Sequence, residues 1–290
     1  MRSIAALAIV MAALAYADTA AQAPAQGRGQ TVQTPQAAAP IDLTGYWVSI
    51  VNEDWRWRML TPPKGDYSSV PLNDEGRKVA DTWTTAMDGR CEAYGAGGLM
   101  RMPTRVHITW QDDNTLKVDF DAGRQTRLLH FDKSKQPASG DAEKTWQGLS
   151  IAEWERPPLE RGGPPARAQI GNNSGPIAPG GGGRGQRGGP PPPSSIMQGG
   201  SLKVVTTHFR EGYLRKNGVP YSENASITEY FNRLPPHPNG DNWLLVVTII
   251  DDPKYLTQPF YTSTQFKLEP GGSKWNPTPC RTAPPPDAPR

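Results

Sequence analysis

For a chain of 290 residues, this one has little net charge, little histidine and little cysteine. Its formal charge is only +3. A nucleic-acid footprint is a strongly basic domain with its charges gathered on one face. Here acids interrupt the bases, as in "DDNTLKVDFD", Asp112 to Asp121, so nucleic acid is excluded as a partner. No apolar run reaches the ~20 residues that span a bilayer. There is no Gly-x-Ser-x-Gly, no phosphate loop, no His-Glu-x-x-His and no Cys-x-x-Cys. The four histidines, His107, His130, His208 and His237, include no ligand-spaced pair. They read as separate residues, with His237 in the turn "PPHPNGD", so neither a metal centre nor a cofactor is expected.

Proline and glycine are plentiful, 31 and 30 residues, against about 12% of the chain together in ordinary usage. They mark the segments that bury little. Residues 1–23 open with Arg2 and an apolar run from Ile4 to Ala15, followed by small residues at Ala15 and Ala17. This has the form of a secretory signal peptide. It predicts export, to a periplasm or to the medium, with no transmembrane segment after its removal. Residues 24–40 read as a disordered leader. Residues 156–200 form a Pro/Gly insert with too little apolar content to offset the entropy of ordering. Residues 281–290 read as a disordered tail. Between them, 41–280 is one domain. Cys91 and Cys280 are the only cysteines, and in an oxidising compartment they pair most simply with each other.

Within the domain the apolar pattern has period two, the spacing of strands with one buried face. It predicts strands at 44–51, 54–60, 104–111, 115–121, 125–132 and 147–155. Beyond the insert it predicts four more, at 201–209, 225–234, 242–251 and 263–269. One short helix is predicted between the early strands, at 73–87, with Asn73 as its cap. No helices interleave with the strands to make parallel crossovers. The fold class expected is all-β, an antiparallel up-and-down β-barrel, because closure removes the exposed edges of a long meander.

The first strand, "LTGYW", resembles the Gly-x-Trp opening of lipocalin-type barrels, and the resemblance implies that Trp47 plugs the closed end. A wider resemblance runs over nearly all of 42–280. The order TGYW, WRW, AG-x-QTR, RKNG-x-PYSENA and TEYF is similar to that of a family of uncharacterised exported bacterial proteins. That family lends no activity. It implies a lipocalin-like barrel by analogy.

Candidate ligand contacts come from the polar parity of the strands and from one turn. Arg58, Arg101, Arg105, His107 and Arg127 alternate with or flank apolar positions, and guanidinium forks suit an acidic group. In one geometry this parity faces water; in the other, part of it lines a cavity. In "WRWRM", Trp55 and Trp57 are expected to face the core, leaving Arg56 and Arg58 to face water or a ligand. Tyr221 and Glu223 lie in the dense polar turn "RKNGVPYSENA". Asp119, Asp121, Glu153 and Glu229 are carboxylates on strands; one held inside would have a raised pKa and could serve as a general acid.

Three functions fit. The first is an exported protein that holds an apolar or aromatic small molecule in the barrel, with arginine selecting an acidic group. The second is an isomerase, hydratase or lyase on the same scaffold. The third is an envelope-associated structural or assembly protein.

Overall fold

The computed structural model describes residues 33–135, 143–156 and 200–282. The expected signal peptide at 1–23, the expected leader up to residue 32, the insert from 157 to 199 and the tail from 283 lie outside these residues. The strands, in chain order, begin with β1 (Gly45–Ile50), β2 (Arg105–Asp112), β3 (Thr115–Phe120), β4 (Ala122–Gly123), β5 (Gln125–His130) and β6 (Leu149–Glu155). After the insert come β7 (Ser201–Thr207), β8 (Gly212–Arg215), β9 (Val219–Tyr221), β10 (Ser226–Arg233), β11 (Trp243–Asp251), β12 (Phe260–Glu269) and β13 (Thr278–Pro279). Three short helices, α1 (Trp55–Met59), α2 (Asp74–Ala80) and α3 (Ala96–Leu99), lie between β1 and β2.

Nine strands close a barrel in the order β1-β12-β11-β10-β7-β6-β5-β3-β2. Closure is made by β1, which pairs with both β12 and β2. The period-two pattern decides which side chains go inside. In β11, Leu244, Val246, Thr248 and Ile250 are buried, and the residues between them are not. The barrel expected from the sequence is present, with one departure. β5 and β6 run parallel, with Leu129 opposite Ser150 and His130 opposite Ile151. The strictly antiparallel up-and-down order therefore breaks once. A parallel pair needs a crossover of a dozen or more residues, and 131–148 is long enough for one.

One core cluster runs from the end where the chain enters, at Leu43 and Trp47, up to Leu99 and Met102. Trp47 is wholly buried there; its indole donates to the Leu43 carbonyl at 2.9 Å and the Arg233 guanidinium lies 6.0 Å from its ring centre. Trp110, Phe131 and Trp154 pack against the same cluster. Residues 33–40 belong to this end, and here the leader reading is corrected. The Trp154 indole donates to the Pro35 carbonyl at 2.8 Å, and the Gln36 amide donates to the Asp113 carbonyl at 3.2 Å. A lone indole N–H at a barrel end needs an acceptor, and this turn supplies one.

A second cluster covers the other end. Tyr67, Val70, Leu72 and Ala80 meet Leu214, Val219 and Tyr221 there, over Ile227, Ile250 and Phe260 of the barrel wall. The expected second strand, 54–60, is α1. Its alternation resembles a strand, but both edges of β1 are already taken by β2 and β12, so no partner remains for it. Asp54, at φ 51°, turns the chain into the helix. The side-chain assignment changes with it at two of the four residues: Trp55 is 63% exposed and Arg58 is buried at 4%, while Trp57 is half-buried and Arg56 faces water. The helix expected over 73–87 is shorter. The Asn73 side chain accepts from the Gly76 amide at 2.8 Å, as a cap should, and α2 ends at Ala80.

The paired cysteines are bonded, Cys91 to Cys280, with Cα atoms 5.0 Å apart. Beside them β13 pairs with β4, so the end of the domain is stitched to the covered mouth. In the barrel's middle, Arg127 and Glu229 form a forked ion pair, with Nη1 to Oε1 at 3.0 Å. Both are buried, and Thr206 and Ser150 accept from the same guanidinium.

Two outcomes are expected. Reducing the disulfide should lower stability by about 2–5 kcal/mol, because it closes a very long loop; denaturant titration with and without reductant measures this, and unreduced, unfolded protein should show no reactive thiol. Arg127→Met alone should cost about 3–5 kcal/mol by stranding the Glu229 charge. The double change Arg127→Met with Glu229→Leu should recover much of that loss in the same titration.

Candidate functional site

Three arginines converge where the covered mouth meets the wall. Arg58 comes from α1, Arg101 follows α3, and Arg215 ends β8. Glycine makes their approach possible. A Cβ on Gly97 would stand 2.7 Å from the Tyr221 ring, and one on Gly98 would stand 2.7 Å from the Tyr213 carbonyl. The "YGAGGLMRMP" stretch is therefore a close-packed backbone crossing, which delivers Arg101 beneath α1. Asn217 fixes the other side, its amide donating to the carbonyls of Pro63 at 3.1 Å and Asp66 at 3.0 Å.

All three guanidiniums are at least nine-tenths buried. Arg58 Nε donates to the Arg101 carbonyl at 2.9 Å, and its Nη1 donates to the Glu53 carbonyl at 3.3 Å. Arg101 pairs with the Asp54 carboxylate and donates to the Ser263 carbonyl at 3.4 Å. Arg215 donates to Ser69 Oγ at 3.3 Å and lies 4.9 Å from the Trp57 ring centre. Two N–H groups are left without a partner in the protein, Arg58 Nη2 and Arg215 Nη1.

The electrostatics follow from burial. Burial, then the Arg101 charge, pushes Arg58 down to about 10. Arg215 is likewise brought to about 10, by burial first and by Arg101 against the pull of Asp54. Arg101 is lowered by burial, with Asp54 and Glu53 resisting. All three stay charged at neutral pH. Arg58, Arg101, Arg215 and Lys216 line a cavity of about 20 Å³ with Trp57, Met102 and Leu214. Its chemistry is that of an anion receptor: donors and positive charge beside an apolar wall.

Of the sequence candidates, only Arg58 and Arg101 meet at this place. Arg105 is on the outer wall, its Nε donating to Glu269 Oε2 at 3.0 Å. His107 is also outside, stacked on Tyr46 with ring centres 3.9 Å apart, and burial lowers its pKa. It lines an outer groove with Asp119, Arg124 and Trp275. Arg127 is inside the barrel but occupied by Glu229. Tyr221 is buried in the covering layer; burial pushes its phenol up, and its hydroxyl donates to the Trp146 carbonyl at 3.3 Å. Glu223 is on the surface, paired with Lys144 at 2.6 Å.

Of the strand carboxylates, Glu229 is the one fully inside, and Arg127 binds both its oxygens. Asp121 is buried near the rim, taking up the Thr104 hydroxyl and the Arg105 amide, each at 2.7 Å. Sequence reasoning missed Arg215 and Asp54. Arg215 opens "RKNGVPYSENA", the same polar turn that holds Tyr221 and Glu223; its place after Leu214, at a strand end, is the usable signal.

Gly98→Ala should lower stability by about 1–3 kcal/mol, since its new methyl meets backbone carbonyls that cannot yield; thermal unfolding checks this. No family model matches this chain, and neither a curated protein nor a solved structure does.

Proposed function

We propose that this is an exported small-molecule-binding protein that takes an acidic ligand by its anionic head at the arginine-lined mouth. The observation that carries the reading is the pair of buried guanidinium N–H groups without a protein partner, Arg58 Nη2 and Arg215 Nη1, beside one cavity. A buried donor left unmade costs about 1–3 kcal/mol, more when charged. A site that accepts this loss is suited to a ligand that returns it.

The barrel interior is a poorer place for the ligand. Its described core is filled by Trp47, Phe120, Phe231 and Phe266 and by the Arg127–Glu229 pair. The ligand's body then lies toward the outside of the mouth, where Trp55, Met59, Leu60 and Tyr261 are exposed. Export is supported by the disulfide, which persists in oxidising compartments, and by the form of residues 1–23.

Native mass spectrometry of protein purified from the bacterial envelope should show a bound acid. A thermal-shift panel of small carboxylates, phosphates and sulfates at fixed ionic strength should raise the midpoint. A ligand at a hundred times its Kd adds about 2.7 kcal/mol. Arg58→Gln and Arg215→Gln should abolish the shift, while Arg105→Gln, on the outer wall, should keep it. No co-purifying acid and no anion-dependent shift would overturn the reading.

A further inference from the structure

We propose that the outer wall of the barrel carries a separate binding site, which takes one pyranose ring of a sugar between Trp275 and His107. It stands apart from the arginine-lined mouth and does not rest on the reading of that mouth.

Strand register builds the floor. Tyr46 of β1 lies opposite His107 of β2, His107 opposite Asp119 of β3, and Asp119 opposite Thr126 of β5. These side chains form one row across the sheet. The row faces outward, because its neighbours along the chain, Trp47, Val106, Val118 and Phe120, are buried in the core. The wall is a strap, residues 270–279, which leaves β12 and ends at β13 beside the disulfide. Gly272 lets it lie on the row: a Cβ there would stand 2.7 Å from the Tyr46 ring. The Thr278 amide donates to the Asp121 carbonyl at 2.9 Å, which fixes the far end. Trp275 is thereby held over the row. Its ring centre is 5.9 Å from that of Tyr46 and 6.2 Å from that of His107, and its plane is inclined at 67° to both.

The groove so made has a volume of about 330 Å³, within the range of about 300–1,000 Å³ that small ligands use. Its lining sets flat apolar surface beside groups of both hydrogen-bonding kinds. Trp275 gives an aromatic face and Pro277 further apolar surface. Arg124 gives donors. Asp119 gives acceptors, with lone pairs to spare beyond those that meet Thr126 Oγ1 at 2.6 Å and Lys117 Nζ at 2.9 Å. Burial lowers the His107 pKa, so at neutral pH its ring offers one donor and one acceptor. The lining charges, Asp119 and Arg124, are opposite in sign, so neither an anion nor a cation is selected. An uncharged ring with a flat C–H face and hydroxyls around its edge uses all of these groups; a planar aromatic would use only the faces. Arg124 is exposed and sits at φ 51°, a backbone region where Gly or Asn is ordinary. The chain holds a long donor there against that preference.

Isothermal titration calorimetry of the full, oxidised protein tests this. The probes are glucose, galactose, mannose and N-acetylglucosamine, with sorbitol, phenol and tetramethylammonium as comparisons. Sorbitol has the hydroxyls without the ring, and phenol the flat face with a single hydroxyl. Tetramethylammonium is a cation that aromatic faces attract. At least one pyranose should bind, about tenfold or more tightly than each comparison. Trp275→Ala should weaken that binding by about tenfold, the size of one aromatic face, and Trp275→Phe should restore most of it. Arg124→Asn, which suits the same backbone, should also weaken it by about tenfold. The ranking of ligands stands on the wild-type protein even if a variant does not fold. No pyranose binding, a comparison compound that binds as tightly as the best pyranose, or a Trp275→Ala affinity equal to that of the wild type overturns the assignment. None of these outcomes bears on anion binding at the mouth.

Discussion

A closed barrel has no free edge, and that constraint shapes everything outside its wall. Once β1 bonds to β2 on one side and β12 on the other, the remaining segments cannot extend the sheet. They can only cover its ends. Residues 51–104 and 208–225 therefore fold across one mouth, as short helices, turns and the β8–β9 hairpin. Their apolar side chains, Tyr67, Val70, Leu72, Trp83, Leu99 and Leu214 among them, are buried in that layer, and polar ones are drawn in beside them. Arg58, Arg101 and Arg215 are the arginines buried in this way.

The molecule handles buried arginine in two ways. In the barrel's middle, Arg127 is answered by Glu229 with two hydrogen bonds and by the hydroxyls of Ser150 and Thr206. That set is neutral and leaves only Nε without a partner. At the mouth only Arg101 of the three makes a direct ion pair, with Asp54; Glu53 and Asp66 act on the set from farther off, and Arg58 Nη2 and Arg215 Nη1 have no protein partner. Desolvation acts on both sets; what differs is how completely the hydrogen-bonding capacity of the guanidiniums is met within the chain. The first set ties β5 to β10 across the barrel, while the second leaves Arg58 Nη2 and Arg215 Nη1 without a protein partner.

Much of the wall was legible in the sequence because burial on one face imposes period two directly on the residues. β2, β3, β5, β7, β10 and β11 fall where alternation places them. The disulfide was legible from compartment and count. Alternation failed at "WRWRM", because it records which residues differ in polarity and not whether a partner strand exists. It also could not orient β6, since a strand's own pattern is the same whichever way its neighbour runs. The arginines show the same limit at the site. Arg105 and Arg127 share a strand-like setting, yet one faces out to Glu269 and the other in to Glu229. Arg58 and Arg101 were found as residue types, but their meeting with Arg215 depends on contacts more than a hundred residues apart in the chain.

The Cys91–Cys280 bond has a topological result of its own. It makes a covalent ring that contains eight of the nine barrel strands and leaves out only β1. A peptide bond hydrolysed anywhere inside that ring, the Pro/Gly stretch included, releases no fragment. Two polypeptides would then travel as one molecule, still sharing a wall, until a reductant separates them.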